Sequence, residues 1–207
     1  MKKKVIGITG GVGSGKSEVL NILKNDYGAG LIEADRVAHE LMEPGAVNFE
    51  ALVKQFGEQI LTEQGSIDRA ALGATVFGDE EKLKLLNSLT HPNVVNEIEH
   101  RMDVMEKDSR IRFIVYEAAL LTGAEFEQRF DQLWYVFARE ELRFQRLKEG
   151  RGYSDEKTAS MIKSQPGEDS FRTAATHVID NSGSLHETRQ QIADILRPIG
   201  KGEQSPV

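Results

Sequence analysis

Short apolar runs rich in β-branched residues alternate along this chain with longer stretches whose apolar positions recur at helical spacing. The runs Val5–Thr9, Leu31–Ala34, Ile111–Glu117, Leu133–Ala138 and His177–Asp180 read as strands. Strands separated by helical patterns predict an α/β fold, a five-stranded parallel sheet with helices on both faces. The spacing is uneven. The gap between the second and third runs is too long for one crossover helix and predicts a helical insertion. Its pieces are Phe49–Phe56, then Asp68–Phe77 with Asp68 as N-cap, then Glu80–Leu89, then Pro92–Met105 with proline in a first turn. Gly57 and Gly65 mark the turns between them. A second helical excursion runs from Glu140 to about Ala175, with a turn at Gly150–Ser154, a helix starting near Asp155 and a break at Pro166-Gly167. A final helix over Leu185–Leu196 stops before Pro198, and 200–207 reads as a flexible tail.

The junction between the first strand and the first helix carries the chemistry. Gly10-Gly11-Val12-Gly13-Ser14-Gly15-Lys16-Ser17 matches the P-loop pattern G-x-x-x-x-G-K-[ST]. It follows the strand and precedes Glu18–Lys24, whose apolar residues have helical spacing. In that context glycines let backbone N–H groups surround a phosphate, and the helix N-terminus adds a positive dipole end. Lys16 is then placed for the β- and γ-phosphates of a nucleoside triphosphate, and the Ser17 hydroxyl for Mg²⁺.

Composition narrows the class. With 39% hydrophobic and 29% charged residues the chain suits a globular protein, and no apolar run reaches the length of a membrane helix. Lys2, Lys3 and Lys4 are followed too soon by the glycine loop for a signal peptide, so a cytoplasmic location is expected. There is no cysteine, hence no disulfide or thiolate metal site. The net charge of −7 argues against a nucleic-acid partner. One local exception is the run Arg139, Arg143 and Arg146, followed by Lys148 and Arg151. A helix would put the first three on one face, either as a phosphate-binding patch or as a solvated face balanced by Glu140, Glu141 and Glu149.

Ligands of open parallel sheets bind beyond the carboxyl ends of the strands. Asp35 ends the second run and is either a base toward an acceptor hydroxyl, the N-cap of a helix starting at Arg36, or both. Glu117 ends the third and is either an acid supporting the Mg²⁺ or a buried carboxylate paired with a base. His91 before Pro92 has the position of a capping or surface residue more than of a ligand. No Asn-Lys-x-Asp motif for guanine is present, and Asp180-Asn181-Ser182-Gly183 reads as a turn after the last strand. The two insertions suit a small-molecule kinase, one holding the acceptor and one closing over ATP to exclude water.

Residues Ile6 to Ser17 resemble the start of dephospho-CoA kinases. The likeness continues through Glu33-Ala34-Asp35, Phe56-Gly57, Asp68-Arg69, Val76-Phe77, Leu86-Asn87, His91-Pro92, Leu120-Leu121, Arg146 with Arg151, Gln165 and Val178-Ile179-Asp180-Asn181. The resemblance implies a P-loop kinase of the nucleoside-triphosphate hydrolase class that phosphorylates the ribose 3′-hydroxyl of dephospho-CoA with ATP and Mg²⁺, the last step of coenzyme A synthesis. It implies a core of residues 1–35, 106–139 and 176–199, a helical acceptor domain over 36–105 and a lid over 140–175. ATP falls to Gly11, Val12, Gly13, Ser14, Gly15, Lys16, Ser17, Arg146 and Asn181. Asp35 matches the catalytic base and Arg151 the lid arginine, working with Lys16, while Thr9 and His91 match positions near the acceptor. The metal falls to Ser17 and Glu117. The chain departs from the family at Glu18 (usually Thr), at Glu33 (usually Asp), and at Glu117-Ala118-Ala119 in place of Asp-x-Pro. Other small-acceptor kinases of the shikimate or gluconate type, and a non-catalytic nucleotide-binding regulator, are the competing readings. A monomer or weak homo-oligomer is expected.

Overall fold

The computed structural model describes residues 2–117 and 130–200, without the side chains of 198–200. Five strands lie in one sheet in the order β2-β3-β1-β4-β5. They are β1 (Val5–Thr9), β2 (Ala29–Glu33), β3 (Phe113–Glu117), β4 (Gln132–Phe137) and β5 (His177–Asp180). β1 pairs in parallel with β3 on one side and β4 on the other, and β4 with β5. All of β1 is buried, which fits its near-continuous apolar sequence up to Thr9.

Contacts divide the chain into two compact units, 1–31 with 108–207, and 32–107, with the boundary falling inside β2. In the first, Ile6, Ile8, Val115, Trp134, Val136 and Ile179 of the sheet pack with Val19, Leu20, Ile22 and Leu23 of helix α1 (Lys16–Tyr27). Ile192 and Leu196 of the last described helix join the same core. The residues from 140 to 174 belong to this unit as three helices, α6 (Glu140–Arg151), α7 (Asp155–Lys163) and α8 (Glu168–Ala174). α8 returns to the sheet through Phe171, stacked on Tyr135 at 5.0 Å, and Arg172, over the Phe137 ring at 4.8 Å. Burial there pushes the Tyr135 hydroxyl pKa up.

The second unit holds α2 (Ala34–Glu40), α3 (Val47–Phe56), α4 (Arg69–Val76) and α5 (Glu80–Lys107). Leu52, Phe56, Ile60, Leu72 and Val76 form its core, backed by Met42, Ile67, Leu86 and Leu89. Asp68 caps α4 as its sequence predicts, its side chain accepting from the amides of Ala70 and Ala71. Arg101 of α5 donates to Glu40 at 2.6 Å and to Glu97 at 2.7 Å, and the Glu40 carboxyl is held below the usual carboxylate range chiefly by that Arg101 hydrogen bond.

Several boundaries differ from the sequence expectation. Ala34 opens α2 instead of closing β2, so Asp35 lies in the first turn; Glu33 occupies the cap position, with no side-chain cap bond. The two helices expected on either side of His91-Pro92 are one helix of 28 residues with Pro92 inside it. Proline removes one amide donor, and beside it the side chains of Thr90 and Asn93 bond to the Leu86 and Leu89 carbonyls. Asn93 also donates to buried Asn48 at 2.7 Å, holding this turn onto α3. Gly150 and Arg151 are the end of α6, which closes at Gly152 in the left-handed region, not at the expected turn. The last helix, α9 (Leu185–Gly200), runs through Pro198. The expected tail at 201–207 and the Leu120-Leu121 pair lie outside the described residues.

Candidate active site

The loop between β1 and α1 is organised by where its carbonyls point. Gly10 O accepts from Lys16 Nζ at 2.7 Å, and Gly11 O from the Ser14 amide at 3.1 Å. Val12 O accepts from Arg143 Nε at 2.9 Å. Arg146 reaches the Ser14 carbonyl at 3.2 Å, with a longer 3.5 Å contact to Gly13 O, and Asn181 Nδ2 also donates to Ser14 O at 2.9 Å. With the carbonyls of residues 10–14 bonded in this way, the amides of Gly13, Gly15 and Ser17 donate to no acceptor among the described residues. Bonded carbonyls and open amides at a helix N-terminus make a concave anion site.

Glycine is required here by close approach as well as by conformation. Gly13 has φ +77°, and a Cβ there would lie 2.8 Å from the Arg143 carbonyl oxygen. Gly15 has φ +87°, and its Cβ would collide with the Asn181 amide. The loop therefore accommodates the arginine helix and the turn after β5 only because it lacks side chains at these points.

Asn181 is 5% exposed and joins three elements. Besides Ser14, its Oδ1 accepts from Thr188 Oγ1 of α9 at 2.9 Å, and its backbone carbonyl accepts from Arg146 at 3.0 Å. Arg143 and Arg146 thus lie against the loop backbone, while Arg139 sits at the cap position of α6 and not within the helix. Arg151, the last residue of α6, is exposed and has no hydrogen bond or ion pair among the described residues.

At the strand ends, Glu117 of β3 pairs in register with Ile8, and Thr9 with Tyr135 of β4. Thr9 is 2% exposed, and among the described residues neither its hydroxyl nor that of buried Ser14 has a hydrogen-bond partner. Ser17 is exposed at the start of α1. A hydroxyl and a carboxylate are hard oxygen donors, a set that suits a Mg²⁺ held mainly by phosphate oxygens and water. Among the described residues no group of three or more His, Cys, Asp or Glu gathers as an independent metal site.

The second unit holds the other expected residues. Asp35 is exposed in the first turn of α2 and has no hydrogen bond or ion pair among the described residues. His91 is exposed within α5 instead of capping a helix. Sequence reasoning named Gln165 only through the family likeness and gave it no role, yet its Oε1 accepts from the Val12 amide at 2.9 Å and from Arg143 Nη2 at 2.8 Å. Its place just before Pro166-Gly167, where the excursion turns back toward the sheet, is the signal that was present.

Sheet order, glycine loop and folded-back lysine define a P-loop protein of the kinase-like class. The chain belongs to the dephospho-CoA kinase family, whose family model matches residues 4–187. It is 42% identical over 194 residues to the dephospho-CoA kinase of Carboxydothermus hydrogenoformans, covering 93% of each chain. Among solved structures it is similar to TT1252 from Thermus thermophilus, with a TM-score of 0.84 at 30% identity over 98% of this chain and 100% of that one. It also resembles the dephospho-CoA kinase from Campylobacter jejuni, with a TM-score of 0.67 at 26% identity, covering 94% and 96% of the two chains. These relatives make the chain a kinase by family. No helix among the described residues is long and apolar enough to cross a membrane.

Proposed function

We propose that this chain transfers the γ-phosphoryl group of ATP to the ribose 3′-hydroxyl of dephospho-CoA, giving coenzyme A and ADP. The observation that carries the reading is the open-amide loop joined to a chain that matches dephospho-CoA kinases along nearly its whole length. Phosphoryl transfer asks a protein for positioning and charge stabilisation more than for covalent chemistry. Residues Gly11, Val12, Gly13, Ser14, Gly15, Lys16 and Ser17 surround the phosphates, with the amides of Gly13, Gly15 and Ser17 open to them while the Val12 N–H is held by Gln165 and the Ser14 N–H by the Gly11 carbonyl. Lys16 supplies the cation of the loop, which in the structure is folded onto Gly10 O.

Arg146 and Asn181 brace the loop and border the nucleotide, while Arg151, unpaired at the end of α6, is available to the transferring phosphoryl group once the 140–175 lid closes. Asp35 accepts the proton of the attacking hydroxyl; it is exposed, and no hydrogen bond or ion pair among the described residues engages it. Thr9 and His91 serve the acceptor; the buried Thr9 hydroxyl, without a hydrogen-bond partner among the described residues, supports its part. Ser17 and Glu117 would hold Mg²⁺, which when bound supplies charge neutralisation on the phosphates. The acceptor-side domain is the 36–105 helical segment. The acidic surface, with net charge −7, fits a cytoplasmic enzyme that acts without nucleic-acid or membrane partners, as a monomer or weak homo-oligomer.

The test is ADP release coupled to a reporter enzyme, with ATP, Mg²⁺ and either dephospho-CoA or shikimate as acceptor. The reading expects turnover with dephospho-CoA alone. Turnover with shikimate, or with neither, refutes it.

A further inference from the structure

Both backbone polar groups of Val12 are held by side chains distant in sequence. Its amide donates to Gln165 Oε1 at 2.9 Å, its carbonyl accepts from Arg143 Nε at 2.9 Å, and Arg143 Nη2 closes the triangle on Gln165 Oε1 at 2.8 Å. Gln165 Oε1 thus serves two donors at once, which fixes the amide orientation of this side chain by its partners. The glycines on either side make the arrangement possible. A Cβ on Gly11 would collide with the Arg143 guanidinium and lie 3.0 Å from Gln165 Oε1, and one on Gly13 would press on the Arg143 backbone. Val12 lies at the crest of the loop, between carbonyls bonded to Lys16 and Arg146 and the open amides of Gly13, Gly15 and Ser17.

We propose that Gln165 is a positioning residue for phosphoryl transfer, which with Arg143 fixes the Val12 peptide and so the curvature of the phosphate loop. This inference rests on the kinase reading above. Gln165 spends the Val12 amide outside the anion cradle and leaves the amides of Gly13, Gly15 and Ser17 for the phosphates. Ground-state ATP, held by many contacts, tolerates a crest that rocks. The transferring group does not, because a misplacement of about 1 Å costs up to roughly 10²-fold in rate. Arg143 comes from the first helix of the 140–175 excursion and Gln165 from the turn after its second, so the same contacts couple two separate parts of that segment to the loop.

Gln165→Met keeps the length of the side chain and removes the acceptor. Gln165 and Arg143 line a cleft of about 790 Å³ together with Phe137, Phe144, Ile162 and Pro166, which gives a thioether apolar neighbours and room. Steady-state kinetics of wild type, Q165M, R143M and the double variant test the proposal, with ATP affinity measured by calorimetry. Wild-type turnover of dephospho-CoA is the control for the kinase reading, and its absence refutes that reading separately. The expected result for Q165M is a kcat lower by about 10- to 100-fold with ATP affinity within about threefold, and a double variant no worse than the poorer single one. Gln165→Glu, which retains an oxygen for both donors, restores kcat to within about fivefold and raises the KM for ATP through its added negative charge. If Q165M fails to fold, Gln165→Asn, one methylene too short to reach both donors, must show the same kcat loss. Unchanged kcat, a loss confined to ATP affinity, fully multiplicative effects of the two single substitutions, or no rescue by Q165E would each overturn the proposal.

Discussion

The Arg146 guanidinium donates to the backbone carbonyl of Asn181 at 3.0 Å, so a helix of the 140–175 excursion is tied to the turn that follows β5. Each of the two residues also holds the Ser14 carbonyl, and the three positions form one brace behind the phosphate loop. Arg146→Ala removes the bonds to the Ser14 and Asn181 carbonyls and the longer contact to Gly13 O, and leaves Asn181 alone on Ser14. We expect a stability loss of about 1–3 kcal/mol, together with weaker ATP binding. Chemical denaturation and ATP titration of the same variant check both. Full retention of ATP affinity would assign the brace to stability alone.

The Arg151 side chain, unlike that of Arg146, makes no hydrogen bond or ion pair among the described residues. Arg151→Ala should leave unfolding unchanged and lower kcat by about 10²-fold or more, with ATP affinity comparatively intact. Calorimetric titration beside the kinetics makes the distinction. A loss wholly in ATP affinity would make Arg151 a ground-state contact.

Asp35→Asn removes a charge and almost no volume. Because Asp35 lies in the first turn of α2 and caps nothing, the structural cost is confined to a charge at a helix N-terminus, about 0.3–1 kcal/mol. Turnover should fall by about 10²-fold or more if the carboxylate takes the hydroxyl proton. Near-normal turnover in single-turnover experiments would remove Asp35 from the chemistry.

The Glu40–Arg101–Glu97 group gives the second unit a pH signature. The Glu40 carboxyl is held below its ordinary value by the Arg101 hydrogen bond, so the folded state favours its ionised form. That contribution is present above the unfolded carboxylate pKa and is lost as pH falls through the lowered folded value. The group is about a third exposed, with side-chain accessibilities of 32% for Arg101 and 39% for Glu40, so screening limits the contribution to about 1 kcal/mol. Arg101→Met should therefore destabilise the chain at pH 7 and by progressively less as pH falls below about 4. Urea midpoints of wild type and variant across that range should converge. A pH-independent gap would mean that Arg101 acts by packing.

How much of this was legible in the sequence depended on whether the cause was local. The loop was legible because glycine spacing, Lys16 and the flanking strand and helix are all contiguous, and Asp68 was legible as a cap because capping is a three-residue event. Pro92 misled because its lost amide is a local penalty, while the bonds flanking it come from Thr90 and from Asn93, which also reaches Asn48 of α3. The arginine run reads in sequence as a phosphate patch or a solvated face. In the structure Arg143 and Arg146 hold carbonyls more than 130 residues away, a pairing that helical spacing does not encode. Gln165 was invisible as a functional residue for the same reason, since its partners are a backbone amide and an arginine brought in by the fold.

The most direct test of the account is the identity of the product. Full-length protein incubated with ATP, Mg²⁺ and dephospho-CoA should yield one ADP per coenzyme A, with phosphorus and proton NMR placing the new phosphate on the ribose 3′-oxygen. Coenzyme A itself, which lacks that free hydroxyl, should support no ADP release above background. A phosphate at another position, equal ADP release with coenzyme A, or no acceptor-dependent release at all would contradict the assignment.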